Sequence, residues 1–600
     1  MTIQQKITIQ QKIPATVDTL TDLVAPDCHG MNFFDIDHSL QGLISIYLPD
    51  DLRAHLVPHF RRLGELAGNE LDEWSRLADR HSPILHHRSA RGAWSDYIEF
   101  HPSYRAMERI AFSEFGLACM IHKPGVLGWH KPISHTAKYV FQYLFGQSEF
   151  SQLCPISATE TTATMIRLYG DETVKAKFLD RMISQDMDKI LKGAQFMTER
   201  TGGSDVSNFE LEARWEDGAW RLYGEKWFCS CADGDVALLL ARPKGAPAGN
   251  KGLGLFAMPR HLDDGSRNKY RIARLKDKLG SCSMASGEIE FHGAVAYALG
   301  ETGAKENQGL KMMMKQVSLS RLSHGARAAA MMRRGLNEAM VVARNRSAFN
   351  ERIIDKPLLR RQLIKLMVPT EQSLSLTLYL GNQIDKAEAG DKRAERITRL
   401  LTPVHKYRAC RDNIRVATGA MEVRGGNGYV EDWVNPKLVR DAHLGVLWEG
   451  TSNINALDVT TRAVAKVGAH RDVGEELQDL LSDAKNLPGQ FKGQLSSTVK
   501  QAIELADEVG RSNNQVMARK ASSALYHSAT AALMAAEGSR LGGAGGDARR
   551  LLLSRMVLDH RLSQQDPLSI SGGKAEARMT DLLLSDKPVS LEVARDALNI

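Results

Sequence analysis

The apolar residues of this chain change spacing twice, and that pattern constrains its fold more than any other feature. From about residue 48 to 190 they recur three and four apart, as at Met107, Ile110, Leu117 and later Met165 and Leu168. That spacing puts one apolar stripe on each α-helix. After Gly193 the spacing drops to two: Phe209 to Trp215 alternates, Gly218 marks a turn, and Trp220 to Gly224 is extended again. Val236 to Leu240, Leu253 to Met258 and Glu288 to Phe291 read as further short strands. From about Glu306 the helical spacing returns and holds to about Lys466, taking in Met312-Met313-Met314, a density that reads as core filler. Residues 467–600 are helix-prone as well, Ala-rich near 521–536 and interrupted by the loop signal Gly542-Gly543-Ala544-Gly545-Gly546. At 600 residues the chain exceeds the roughly 250 to 300 residues at which one core stops growing, so several packed units are expected. The expectation is a mainly α protein with a central β domain: helices over 1–193, β structure over 194–304, a helical bundle over 305–466 and an extra helical domain over 467–600.

Composition narrows the class. A hydrophobic share of 43% and a charged share of 25% are those of an ordinary globular protein. No apolar run approaches the roughly 18 residues of a membrane-spanning helix, so no membrane partner is expected. The first thirteen residues repeat a Thr-Ile-Gln-Gln-Lys-Ile unit and lack the apolar stretch of a secretory signal, so they read as a polar lead-in. Seven cysteines, an odd number, do not make a disulfide framework in a chain this long, and a reducing cytoplasm is expected. Cys229-Ser230-Cys231 lacks the two-residue spacer of metal motifs and no histidine pair follows at ligand spacing. No metal is expected, and both cysteines read as buried strand residues. A net charge of +7 permits weak attraction to anions, among which coenzyme A, a flavin pyrophosphate and nucleic acid all count.

The segment Leu447-Trp448-Glu449-Gly450-Thr451-Ser452-Asn453-Ile454 carries the chemistry. It sets one carboxylate beside a glycine and a threonine, with Arg440-Asp441 and the cluster Gly425-Gly426-Asn427-Gly428 upstream. A carboxylate in an apolar, partly dried pocket has a raised pKa and becomes a better base near neutral pH. Leu447 and Trp448 are expected to wall such a pocket, and Gly450 to let the backbone turn closely there. An isolated glutamate is usually solvated or ion-paired. Four further segments change that estimate: Thr198-Glu199-Arg200-Thr201-Gly202-Gly203-Ser204-Asp205, Gly224-Glu225-Lys226-Trp227-Phe228-Cys229-Ser230, Arg344-Asn345-Arg346-Ser347-Ala348-Phe349, and Glu422-Val423-Arg424-Gly425-Gly426. Taken singly they read as a Gly-rich loop, an aromatic-rich strand, a solvated helix face and a helix cap with its turn.

In this order and spacing the segments resemble those of the acyl-CoA dehydrogenase family. The resemblance implies an N-terminal helical domain, a middle β-barrel-like domain and a C-terminal four-helix bundle, with FAD as cofactor and an acyl-CoA as substrate. It implies α,β-desaturation, Glu449 taking the Cα proton while a hydride passes from Cβ to flavin N5. By the same resemblance Thr198, Ser204, Phe228, Ser230, Arg346, Phe349, Glu422, Gly425, Gly426, Thr451 and Asn453 would bind FAD, while Arg321, Ser204 and Gly450 would face the substrate. Aligning the glycine and lysine of the second segment puts Phe228, rather than Trp227, over the flavin. Arg200, Glu422 and Asn350 stand where the family usually has Pro, Gln and Gly. Some branched-chain members place their base just before the helix arginine. That position is Ser320 here, which leaves Glu449 as the base. Arg346 and Phe349 would reach a neighbouring subunit's flavin, implying a homo-oligomer, a dimer of dimers in most members, reoxidised by an electron-transfer flavoprotein. Phe100-His101-Pro102, Leu153-Cys154-Pro155-Ile156 and Arg274-Leu275-Lys276-Asp277-Lys278-Leu279-Gly280 point further to the adaptive-response, AidB-type branch, over about residues 14–466. That branch carries an alternative reading, a flavoprotein of the alkylation stress response with weak dehydrogenase activity and DNA as partner. The near-balanced charge after Lys466 makes DNA the less favoured partner. A flavin oxidase on the same scaffold is the third reading.

Overall fold

A computed structural model describes residues 24–563, 568 and 573–598. The Thr-Ile-Gln-Gln-Lys-Ile repeat lies outside these residues. Helices fill the first block, from His38–Tyr47 to Glu172–Met182. A seven-stranded sheet follows, built on two long strands, Ala219–Ser230 and Ser286–Leu299. These two pair antiparallel with each other, and each pairs with further strands on its other side: Ala219–Ser230 with Glu212–Glu216 and Gly193–Phe196, Ser286–Leu299 with Gly254–Pro259 and Tyr270–Leu275. Val236–Pro243 joins Gly254–Pro259 to Gly193–Phe196, so the sheet curls back on itself. Its inward side is Leu222, Cys229, Leu239, Phe256 and Ile289, each at most 1% exposed. Cys229 is thus a buried strand residue, and Cys231, equally buried, sits just past the strand end with a positive φ of 56°.

Three long helices, Gly309–Asn345, Pro357–Glu388 and Lys392–Arg424, form the bundle, with Ser452–Leu457 running on into the wider turns of Asp458–Val464. Asp391 caps the third, its carboxylate accepting from the N–H groups of Arg393 and Ala394 at 2.8 and 3.0 Å. Met312 and Met313 at the start of the first are buried against the sheet residues Leu253 and Leu255.

Among the described residues six further α-helices follow, of which Ala518–Gly543 is the longest, and they share the bundle's core: Leu380 and Leu400 belong to the same apolar cluster as Leu477, Phe491, Leu525 and Leu552. A buried charge network stitches the seam. Arg550 donates to Glu371 (2.8 Å) and Glu537 (2.8 Å); Arg333 pairs with Glu371 and, at 3.1 Å, with Asp37, the N-cap of the first helix. Tyr143 and Tyr47 hydroxyls complete it, donating to Asp37 and Glu537 at 2.7 Å each.

One element departs from the helical spacing of the first block. Residues Ile84–Arg88 and Trp94–Glu99 form an antiparallel hairpin. It is held by a tertiary contact: Asp96, 2% exposed, accepts from the N–H of Ile272 and from Arg271 at 3.0 Å each, docking the hairpin on strand Tyr270–Leu275. Arg88 and Arg271 both lie against the Trp94 ring, 3.8 and 3.1 Å from its centroid.

Candidate active site

Glu449 sits in a left-handed backbone conformation, φ 52°, followed by Gly450 at φ 89°. A non-glycine residue held there stores strain and needs its surroundings to fix it. Three side chains do so. Arg321 Nε donates to the Glu449 carbonyl at 3.1 Å, Lys406 Nζ to the Gly450 carbonyl at 2.5 Å, and Asn455 Nδ2 to the carbonyls of Gly450 and Thr451 at 2.7 and 3.0 Å. Arg321 is itself anchored at 2.8 Å on Asp458, which also pairs with Arg399. A Cβ at Gly450 would stand 3.1 Å from Ile454 Cγ2 and 3.2 Å from Asn455 Nδ2. The Thr451 hydroxyl caps the Ser452–Leu457 helix, and Asn453 is exposed on its first turn.

The Glu449 side chain is half-buried, and desolvation pushes its pKa above the ordinary carboxylate value; Arg321, the Ser320 hydroxyl that hydrogen-bonds it, Lys406 and Arg327 pull the other way without cancelling that effect. Trp448 forms one wall, edge-on to His324 at 4.4 Å and 5.6 Å from the Phe150 ring. The second expected wall, Leu447, is 61% exposed: it points away because Glu449 turns the chain immediately after Trp448. Upstream, Asp441 receives the Ser281 N–H at 2.6 Å and Lys437 at 2.7 Å, and a Cβ on Gly280 would overlap the Arg440 carbonyl at 2.6 Å. The loop ending at Gly280 thus locks the sheet domain to the segment that leads into Glu449.

The other site candidates form two groups that share no hydrogen bond, ion pair or ring contact among the described residues. In the first, the Thr198 carbonyl receives the Trp227 N–H at 2.8 Å and Ser230 Oγ lies 3.3 Å from Ser286 Oγ. A bulge between Lys226 and Cys229 leaves Trp227 half-buried and Phe228 54% exposed, with Lys276 Nζ 3.4 Å from the first ring and 4.9 Å from the second. Ser204 is exposed, and a Cβ on Gly203 would stand 2.7 Å from Thr198 Oγ1. Glu199, between them, is structural: it takes Lys226 at 2.6 Å and the Glu210 N–H at 2.6 Å. In the second group Arg346 Nη1 donates to the Arg424 carbonyl at 3.4 Å and lies 3.0 Å from where a Gly425 Cβ would be. Gly425 closes the Lys392–Arg424 helix at φ 74°, so the cap and the close approach coincide. Gly426 is open, and Glu422 is exposed, bonded by Gln362 at 3.1 Å. Phe349 and Asn350 are the two-residue turn of a small hairpin, φ 55° and 63°, with Phe349 90% exposed.

These groups fit a flavin. The Gly425 backbone lies bare beneath an arginine with no ion pair among the described residues, suited to phosphate oxygens, while an exposed aromatic flanks two serine hydroxyls on the sheet. The residues that motif reading passed over are Lys406, Asn455, Asp458, His324 and Arg327. The last two carried a signal: with Ser320 they fall at i, i+4 and i+7 of one helix, the face turned toward Glu449.

A curled sheet between two helical blocks, with a strained carboxylate loop where sheet and bundle lock together, is the acyl-CoA dehydrogenase architecture. Residues 24–189 match the adaptive response protein AidB N-terminal domain, 194–294 the acyl-CoA dehydrogenase middle domain and 307–464 the acyl-CoA dehydrogenase C-terminal domain. The chain is 32% identical over 470 residues to the putative acyl-CoA dehydrogenase AidB of Escherichia coli (strain K12), spanning 74% of this chain and 80% of that protein. Among solved structures it aligns with Caenorhabditis elegans ACDH-11 in complex with C11-CoA at TM-score 0.83 and 25% identity, over 91% of this chain and 94% of that one. It also aligns with the apo form of Bd2924 at TM-score 0.76 and 28% identity, over 86% and 100%. The chain belongs to the acyl-CoA dehydrogenase family, and its N-terminal domain is of the AidB type.

Proposed function

We propose that the protein desaturates an acyl-CoA thioester, with Glu449 as the base that takes the Cα proton. The observation that carries this is the Glu449 loop: a half-desolvated carboxylate of raised pKa on a strained turn, tethered by Arg321, Lys406 and Asn455. Raised basicity suits abstraction of a weakly acidic α-proton, and fixed geometry keeps the carboxylate from relaxing away from it. Ser320 holds the carboxylate oxygen in the resting state. The Glu449 N–H would stabilise negative charge developing on the thioester oxygen. Thr198, Ser204, Phe228 and Ser230 would hold the FAD isoalloxazine and its chain, while Arg346, Phe349, Glu422, Gly425 and Gly426 would hold the adenosine diphosphate half of a second subunit's FAD. Bound FAD supplies the acceptor for the Cβ hydride. An electron-transfer flavoprotein would then take the electrons, and Arg346 and Phe349 serving the neighbouring subunit would make the protein a homo-oligomer, a dimer of dimers as in most of the family. The relative ACDH-11 was solved with C11-CoA, which supports an acyl-CoA as ligand here.

Anaerobic titration of FAD-loaded protein with short, long, branched and aromatic acyl-CoAs tests this. Flavin absorbance is expected to bleach with one class. In Glu449→Gln the bleaching rate should fall roughly 10²–10⁴-fold with FAD still bound; an unchanged rate removes Glu449 from the role of base.

A second reading, a nucleic-acid-associated protein, draws on one cluster. Arg411 has Arg519, Arg408 and Arg415 as charged neighbours, of which Arg408 is paired with Asp412 at 2.8 Å. Phosphate binding there would show as duplex affinity that falls steeply with salt; no binding at low salt removes this reading.

A further inference from the structure

Asp458 is 6% exposed and gathers guanidinium groups from three elements. Arg321, on the helix Gly309–Asn345, donates from Nη1 to Asp458 Oδ2 at 2.8 Å. Arg399, on Lys392–Arg424, donates to both carboxylate oxygens, at 2.7 and 3.2 Å, and Arg462, one turn further along the chain, stands 3.8 Å off. Arg321 is buried, Arg399 half-buried and Arg462 exposed, so water shares the last two and leaves Asp458 as the partner of the first. Asp458 also opens the wide turns that follow Ser452–Leu457, where the Ala465 N–H reaches back five residues to the Thr460 carbonyl at 3.1 Å. Wide turns of this kind recur at functional sites.

Arg321 ties this cluster to the base loop: while Nη1 is on Asp458, Nε is on the Glu449 carbonyl at 3.1 Å. The Glu449 carboxylate faces Arg321 and Arg327 from one helix and Lys406 from another, with the Ser320 hydroxyl bonded to it. The remaining titratable neighbours carry no charge. Burial keeps the Cys154 thiol protonated, an effect Glu449 reinforces, and burial holds His324 neutral. Every cation facing Glu449 favours its ionised form and so weakens it as a base. Of the three, Arg321 alone is ion-paired to a second carboxylate among the described residues, and that carboxylate is Asp458.

Resting on the reading of Glu449 as the base, we propose that Asp458 is a positioning residue that works through Arg321, holding the guanidinium on the Glu449 carbonyl while offsetting its charge, so that the loop is gripped without the base being neutralised. Arg399 acts in the opposite sense, because it draws on the same carboxylate from the solvent side. Removing the negative charge at 458 leaves Arg321 unopposed, and Glu449 ionises more readily. Removing the positive charge at 399 leaves Asp458 to Arg321, and Glu449 ionises less readily. A purely structural carboxylate gives no such opposition: loosening the turn by either change would wet Glu449 and bring its pKa down toward the ordinary 4.5 in both cases.

The test is infrared difference titration of the FAD-loaded protein, in which the carboxyl band missing from Glu449→Gln identifies Glu449. Asp458→Asn is expected to lower the Glu449 midpoint and Arg399→Met to raise it, each by roughly half a pH unit. The acid limb of flavin bleaching by an acyl-CoA should move with them. Arg399→Met removes only the half-buried partner, so the opposite signs remain testable through its rise even where Asp458→Asn fails to fold. A midpoint that falls or stays put in Arg399→Met, or that rises or stays put in a folded Asp458→Asn, overturns the proposal and leaves Glu449 as the base. Shifts of the expected signs in a protein that no acyl-CoA bleaches uphold the coupling and overturn the acyl-CoA reading instead.

Discussion

At Glu449 the backbone does part of the chemistry's work before any substrate arrives. The left-handed turn puts the carbonyls of Glu449 and Gly450 onto Arg321 and Lys406, so the carboxylate is carried on a stem gripped from behind. Gly450→Ala tests the turn itself. Its φ of 89° and the 3.1 Å approach to Ile454 Cγ2 penalise any Cβ, and a loss of roughly 1–3 kcal/mol is expected in thermal unfolding, with a larger fractional loss of turnover. The acid limb of the rate profile is a second residue-scale prediction. Burial raises the Glu449 pKa, and the base must be ionised to act, so the rate should climb through a pKa above the ordinary 4.5. A limb at or below 4.5 contradicts that environment. Lys406 adds an alkaline counterpart: burial lowers its pKa to about 8, so near that pH its charge fades from beneath Gly450 and turnover should begin to fall. Lys406→Met should abolish the alkaline fall at the cost of a lower plateau.

Among the elements, the hairpin tip at Phe349 is the least comfortable. An aromatic residue with φ 55° and 90% exposure has little beyond Lys356 Nζ, 5.8 Å from its ring, to hold it in its own protomer, and Asn350 beside it tolerates the same conformation far better. Phe349→Gly is expected to leave the melting temperature of the protomer unchanged or slightly raised while reducing the sedimenting mass of the protein; an unchanged mass would detach Phe349 from any subunit contact. The elements also differ in how far the sequence disclosed them. The Phe209–Trp215 and Trp220–Gly224 alternation anticipated strands Glu212–Glu216 and Ala219–Ser230 because one side of each carries the buried residues, Ala213 in the first and Leu222 in the second. The Ile84–Arg88 and Trp94–Glu99 hairpin left little signal, since its exposed faces carry His, Arg and Trp and it is held by the buried Asp96 and Ile98, which no apolar alternation marks. Motif order likewise drew attention to Glu449, Arg346 and Gly425. Lys406 and Arg327 escaped it because each acts through a contact more than forty residues away in sequence, where a short motif has no reach.

For the molecule as a whole, the helices after Lys466 are part of the bundle. Removing them would open the apolar cluster they share with the bundle and strip Glu371 of Arg550. Arg550→Met leaves Glu371 and Glu537 buried with one cation fewer, and a loss of roughly 3–5 kcal/mol is expected. The pH dependence of the same seam has a definite sign. Burial alone would raise the Glu371 pKa, but Arg333 and Arg550 outweigh it and hold it down to about 2. A depressed carboxylate stabilises the fold above its ordinary 4.5, and that contribution is lost as pH falls from there toward 2. Acid unfolding followed by circular dichroism should therefore begin in that window, and Arg550→Met should move it to higher pH.

The network has a consequence for how the chain is made. Asp37 is made early, yet its counter-ion Arg333 is shared with Glu371, and the second oxygen of Glu371 has its cation only once residue 550 has been synthesised. The charge network at the heart of the first helices is thus completed only when a helix made near the end of synthesis docks against them.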